Sequence, residues 1–126
     1  MISRERAWLA LGALLLVFAA GVFGQGLTGQ ISGTVQDQSG SAMVGAEVTV
    51  TNLNTATARA VTTDSSGAFV ITQLLPGTYS MTVTATGFRQ FVQKEIPVSA
   101  NERVTLPTIS LTIGEITETV TVDAAL

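Results

Sequence analysis

From Gly29 onward the chain is a succession of short stretches in which apolar and polar residues alternate. Tyr79, Met81, Val83 and Ala85 interleave with Ser80, Thr82, Thr84 and Thr86, a period of two that gives a strand one dry face and one wet face. Ala46, Val48 and Val50 interleave with Glu47, Thr49 and Thr51 in the same way within a predicted strand over Ala46–Leu53. Ile31 and Val35 face inward across the small Gly33 in a strand over Gly29–Gln36. Further strands are predicted at Ala56–Thr63, Ala68–Gln73, Thr78–Thr86, Phe88–Glu95 and Arg103–Ile113, the last being the longest. In that stretch Val104 and Leu106 share one phase, whereas Ile109, Leu111 and Ile113 share the other. Pro107-Thr108 marks the slip, as expected for a bulge or an edge position, because proline cannot donate to a ladder. No helical period appears after Gly24. Seven or eight short strands separated by polar turns predict an all-β sandwich.

The turns are legible from their chemistry. Asp64 to Gly67 reads as a tight turn, since an aspartate side chain bonds its own backbone and glycine tolerates positive φ. Pro76-Gly77 suits the two central positions of a type II turn, with proline fixing φ and glycine taking the left-handed corner. Asp37–Ala42 and Asn52–Thr55 supply two more polar turns.

Residues 1–24 differ from the rest. Arg4 and Arg6 precede an uncharged apolar run from Trp8 to Val22, and Val22 and Gly24 are small residues ahead of Gln25. This is the pattern of a cleaved secretory signal, with a short membrane anchor as the alternative. Either reading predicts export. Trp8 is the only tryptophan, so cleavage would leave a product without one.

Several pieces occur in a fixed order: Ile31-Ser32-Gly33-Thr34-Val35, Asp37 and Gly40, Val44-Gly45-Ala46, the Asp64–Phe69 turn, Leu75-Pro76-Gly77-Thr78-Tyr79, and Gly87-Phe88. Together, from about Gly29 to Ile113, they resemble the carboxypeptidase regulatory-like domain. The resemblance implies a transthyretin-like Greek-key β-sandwich over residues 25–113, of a carbohydrate-binding-like fold that is shared with sugar-binding modules. The name comes from a domain attached to carboxypeptidases, which is not itself the peptidase. In many TonB-dependent outer-membrane receptors of bacteria this domain sits at the mature N-terminus, ahead of a plug and a transmembrane barrel. Residues 114–126 continue the β pattern with more acid. Within them Glu118-Thr119-Val120-Thr121-Val122 resembles the short box by which such receptors add a strand to a TonB-type energising protein. The other reading of this segment is a last strand of the sandwich, or a linker. The resemblance thus implies a non-enzymatic exported module of the periplasm or outer membrane that docks a partner or spaces the plug and barrel. The alternative is a free-standing secreted module that binds polysaccharide or protein.

Composition narrows the chemistry. Charged residues are 12 % of the chain and the formal net charge is −3. Removing Arg4 and Arg6 makes the remainder more acidic still, and Arg59, Arg89, Lys94 and Arg103 are isolated, so no basic patch exists for nucleic acid. Neither cysteine nor histidine occurs, which removes disulfides, thiolates, the commonest general base and the commonest transition-metal ligand. A Ser–Lys nucleophile pair through Lys94, flanked by Glu95, is conceivable on residue types alone. Neither a catalytic set nor a cofactor is expected. Calcium at the Asp37 or Asp64 turn has a single carboxylate to use in each, against a structural role for both. For sugar stacking, Phe69 and Tyr79 are at inward phases, which leaves Phe88 as the exposed candidate; in the family the Gly-Phe pair closes the sandwich. The isopeptide cross-link of related adhesin domains needs an early lysine and a late asparagine. Lys94 is late, and the asparagines are Asn52, Asn54 and Asn101.

Overall fold

The computed structural model describes residues 27–123. The leader at 1–24 and the last three residues lie outside that range. Nine strands and no helix are found among the described residues: β1 (Gly29–Asp37), β2 (Glu47–Asn52), β3 (Ala58–Thr62), β4 (Ala68–Leu74), β5 (Gly77–Thr84), β6 (Gln90–Val98), β7 (Arg103–Thr105), β8 (Ile109–Leu111) and β9 (Thr119–Asp123). One sheet has β1 at its centre, with β4 on one side and β7 followed by β8 on the other. The second sheet runs β3-β2-β5-β6-β9. The β1–β2, β3–β4, β4–β5, β6–β7 and β8–β9 connections all cross between sheets, which gives the interleaved path of a Greek-key β-sandwich.

The alternating stretches fold as their pattern requires. Ile31, Val35, Phe69, Ile71, Leu106, Ile109 and Leu111 line the inner face of the first sheet, and Val48, Val50, Tyr79, Met81, Val83, Ile96 and Val98 that of the second. The hydroxyls between them face outward. Gly33 lies on the inward phase opposite Phe69, and a Cβ there would come within 2.9 Å of the Phe69 ring. The glycine is therefore a space requirement: its missing side chain is where the ring sits. Among the buried polar groups, Thr63 Oγ1 accepts from Ala46 N at 2.9 Å and donates to the Met43 carbonyl, joining the entry of β2 to the exit of β3. Asn52 Oδ1 accepts from Asn54 N and Thr55 N and closes the β2–β3 turn.

Three sequence expectations change. Arg103–Ile113 is not one long strand, because the chain breaks at Pro107-Thr108 into β7 and β8. Both pair in parallel with β1, at Ile31↔Val104 and then Val35↔Ile109, so the register slips by one residue across the proline. The inward phase passes from Leu106 to Ile109 as the slip demands. Splitting this stretch, and adding β9, is why nine strands are found where seven or eight were expected. Secondly, Gly77 does not take the left-handed corner of a type II turn. It opens β5 opposite Val98, and its φ is not positive. A Cβ at Gly77 would approach Asn52 Nδ2 at 3.0 Å, so the residue makes room for the buried Asn52. The bend falls at Pro76 itself. Thirdly, β6 extends past Glu95 to Val98 because a bulge resets its phase. Tyr79 pairs with Ile96 but Met81 with Gln93, and Glu95 takes φ 58° between them. Gln73 does the same for β4 against β1, with φ 58°.

Candidate functional site

The two long sides of the sandwich differ. At one side β3 and β4 are joined by the short Asp64 turn, and Arg59 Nη1 reaches the Gln73 carbonyl at 3.4 Å across the gap. At the other side the sheets part between β8 and the outer end of β6. There a shallow groove of about 260 Å³ runs between Phe91, Gln93, Pro107, Ile109 and Val122. Along this open side lies β9, the structured form of the segment picked out as a partner-binding strand.

Thr119–Asp123 pairs in parallel with Gln90–Lys94, with Phe91↔Val120 and Gln93↔Val122 in register. Every residue of β9 is exposed, including Val120 at 37 % and Val122 at 41 %. It is thus an edge strand held by its ladder to β6, with little apolar burial of its own. Glu118 precedes the strand. Its carboxylate contacts Arg89 Nε at 2.6 Å, its carbonyl accepts from Gln90 N at 2.8 Å, and its own N–H donates to Glu115. Upstream, Arg89 N donates to the Thr112 carbonyl and Gly114 N to the Gly87 carbonyl. The connection from β8 is therefore stitched along the β5–β6 corner until Glu118.

The Thr-Val alternation marks the segment in the sequence, but nothing local marks its acceptor. Gln90, Val92 and Lys94 carry no local sign of a parallel partner, because such pairing joins residues far apart in the chain. Arg89, isolated in the sequence, is the cation beside Glu118. One feature that limits the edge is legible as a residue type: beyond Lys94 and the bulged Glu95 comes Pro97, which has no N–H to offer. The usable edge of β6 ends where β9 ends.

Phe88 is half-buried, packed against the core and bridged to Ile113. It borders a recess of about 300 Å³ with Asp37, Gln38, Ser39 and the exposed Ile113. The ring is not a free-standing platform: its place at the β5–β6 corner closes the sandwich over the core. Phe69 and Tyr79 are core residues, and the Tyr79 hydroxyl donates to the Leu75 carbonyl at 2.6 Å. Lys94 is exposed on β6 beside the exposed Glu95.

The Asp37 and Asp64 turns have the same geometry. Asp37 Oδ1 accepts from Ser39 N, Ser39 Oγ and Ser41 N at 2.9, 2.6 and 3.0 Å. Asp64 Oδ1 accepts from Ser66 N, Ser66 Oγ and Ala68 N at 2.9, 2.7 and 3.0 Å. Each loop then places a glycine at positive φ, Gly40 at 87° and Gly67 at 76°. One oxygen of each carboxylate is already engaged by three donors, and no cluster of three acidic residues able to hold a metal occurs among the described residues. The seryl hydroxyl, then the backbone N–H groups, hold both carboxyls below the ordinary aspartate value. A lowered folded-state pKa gives stability that is present above the unfolded value of about 3.9 and is lost as pH falls through the folded value. Urea midpoints of the parent should therefore hold down to about pH 4 and fall below it. Replacing both residues by asparagine keeps an acceptor oxygen but removes the titration, so its midpoint should fall less steeply over the same acid range. Parallel acid profiles would show that the two turns contribute nothing to acid sensitivity.

The comparisons with known proteins agree with this geometry. The carboxypeptidase regulatory-like domain matches residues 30–112, and the chain belongs to that family, a non-catalytic regulatory-like β-sandwich. No curated protein matches the sequence. Among solved structures, the TIE protein of Bacillus anthracis is similar at 23 % identity and a TM-score of 0.57, over 69 % of this chain and 17 % of that one. Hydroxyquinol 1,2-dioxygenase of Pseudomonas putida DLL-E4 is similar at 11 % identity and 0.55, over 71 % of this chain and 58 % of that one. A Bacteroides uniformis protein with a proposed role in carbohydrate binding is similar at 17 % identity and 0.55, over 68 % of this chain and 42 % of that one. At these identities the likeness is one of fold. In each case the matched region is under two thirds of the other protein.

Proposed function

We propose that the chain is a non-enzymatic exported sandwich that forms the N-terminal domain of a TonB-dependent outer-membrane receptor, and that Glu118–Val122 is the segment it offers to a TonB-type energising protein. The observation that carries this reading is β9. A short, exposed, β-branched strand follows directly on the regulatory-like domain and is held by little but backbone pairing. Recognition by strand addition requires those properties: main-chain groups supply affinity, and no side chain is committed to a core. Two acidic residues, Glu118 and Asp123, flank the Thr-Val-Thr-Val run. The leader pattern at 1–24 supports export to the periplasmic side or the outer membrane.

The test is capture of the full chain by the C-terminal domain of a TonB-type protein. Val120→Pro removes a ladder N–H from the middle of the strand, so it should abolish capture while the melting temperature of the sandwich stays within a few degrees of the parent, since Val120 is outside the core. Undiminished capture of the proline variant would sink the assignment of the segment. A free-standing module that binds polysaccharide is the second reading, favoured by the fold shared with the Bacteroides protein and by the recess beside Phe88 and Ile113. A glycan array separates the two, because a specific hit that is lost in Phe88→Ala belongs to the second alone.

A further inference from the structure

We propose that Thr119–Asp123 is a releasable latch: the segment is stored on the Gln90–Lys94 edge of β6, and a partner receives it only after it peels away. The partner's identity rests on the receptor reading above, whereas the stored state rests on the fold alone.

Three observations carry the inference. The first is the match between the edge and its occupant. The outer edge of β6 is interrupted by the left-handed Glu95 and the imino nitrogen of Pro97, which leaves Gln90–Lys94 as its regular part. Those residues pair one for one with Thr119–Asp123. An unpaired edge of this length next to the apolar side chains of Phe91, Pro107 and Ile109 would invite pairing with other chains; β9 covers it.

The second is the contrast with the other short strands. β8 is only three residues long, yet Ile109 and Leu111 are buried and anchor it in the core. β9 has no such anchor. All its side chains are exposed, and β6 is its only strand neighbour among the described residues. Elements with few buried apolar contacts and exposed backbone bonds open at low free energy, ahead of global unfolding. β9 is the strand that meets this description most fully.

The third is a defined hinge. The connection from β8 is bonded to Gly87, Arg89 and Gln90, and the last of these bonds is Gln90 N to the Glu118 carbonyl. The exposed Arg89–Glu118 ion pair lies at the same point. Peeling from the C-terminal side therefore stops at Glu118 and frees the strand without disturbing Phe88 and Ile113. The stored strand consumes the edge that faces β6. Release makes both edges available and removes any need for the partner to fit beside the sandwich.

The chain has no cysteine, so a single engineered pair gives a clean staple. Val92 and Thr121 are opposite one another in register. The full chain carrying Val92→Cys and Thr121→Cys is compared, oxidised and reduced, in capture by the TonB-type C-terminal domain. Hydrogen exchange is followed in the free parent and in Arg89→Glu. The parent should show the Val120 and Val122 amides, the ones the parallel register turns toward β6, exchanging at least about tenfold slower than unstructured peptide, yet faster than β5. Arg89→Glu, which sets like charges at the hinge, should speed exchange in that segment several-fold and leave β5 unchanged. Capture should be lost in the oxidised form and restored by dithiothreitol. Undiminished capture of the oxidised form overturns the latch, because the partner would then be adding to the outer edge of β9 in place. Exchange of the Val120 and Val122 amides at unstructured rates in the parent overturns it too. Capture in neither redox form nor by the parent, with the exchange pattern intact, supports the stored state and overturns the receptor reading.

Discussion

Gly67→Ala should lower the folding free energy by at least about 3 kcal/mol, whereas Gly40→Ala, in a turn of the same chemistry, should lower it by only about 1 kcal/mol. Both glycines follow an aspartate that accepts from the seryl group two residues on, and both have positive φ, 87° for Gly40 and 76° for Gly67. The left-handed conformation costs an L-residue about 1–2 kcal/mol, and the two variants share that cost. Their surroundings differ. A Cβ at Gly40 meets nothing within 4 Å. A Cβ at Gly67 collides with the Val35 carbonyl and comes within 3.2 Å of Met43 N. That carbonyl cannot give way cheaply. It accepts from Met43 N at 2.9 Å, while Val35 N donates to Gly67 O at 2.8 Å, and the Val35 side chain is fully buried. Moving it breaks buried backbone bonds, each costing about 1–3 kcal/mol when left unsatisfied. Urea denaturation of the two variants measures the difference. Equal losses would mean that the Asp64 turn shifts as freely as the exposed Asp37 turn, and that the approach of Gly67 to Val35 is not a constraint on the fold.

That contrast also marks what was legible in the sequence. The turn chemistry of Asp37 and Asp64 is local, and so is the period of two that places Val48, Val50, Met81 and Val83 inward; both could be read directly. The slip at Pro107 was readable for the same reason, since a missing N–H is a property of one residue. Less local features were not. Gln73 and Glu95 sit at positive φ with no residue-type signal, because a bulge is imposed by the register of its partner strand. Gly77 looked like a turn glycine beside Pro76, and only the packing of Asn52 against it explains its place. The two glycines of one turn motif are indistinguishable by sequence, although one is surrounded and the other open. At the candidate site the Thr-Val alternation of β9 was plain, but the acceptor was not, because a parallel partner such as Gln90–Lys94 is chosen by the way the whole sandwich closes. Seven residues of connection, from Thr112 to Glu118, are fixed by backbone bonds to the β5–β6 corner that no pattern announces.

Phe69→Ala should cost about 3–5 kcal/mol, and it should reverse the sign of a second substitution, Gly33→Ala. Phe69 is 3 % exposed on β4, opposite Gly33 of β1. Truncating a buried aromatic side chain loses its transfer free energy and leaves a cavity that surrounding strands fill only in part. In the parent, a Cβ at Gly33 would stand 2.9 and 3.0 Å from the Cζ and Cε1 atoms of the ring. The ring is wedged among core residues and has no free end to swing, so Gly33→Ala over-packs the site at about 1–3 kcal/mol. Without the ring, the nearest of the remaining neighbours is Leu106 Cβ at 3.7 Å, an ordinary contact. The added methyl then fills part of the void, and alanine in a strand gains about 0.5–1 kcal/mol over glycine from the unfolded chain's lower entropy. Gly33→Ala should thus destabilise the parent and stabilise Phe69→Ala. A double-mutant cycle by chemical denaturation reads the coupling, which should exceed about 1 kcal/mol. Additive losses would mean that the ring and the glycine do not share one space, and that Gly33 is present for a reason other than the ring it faces.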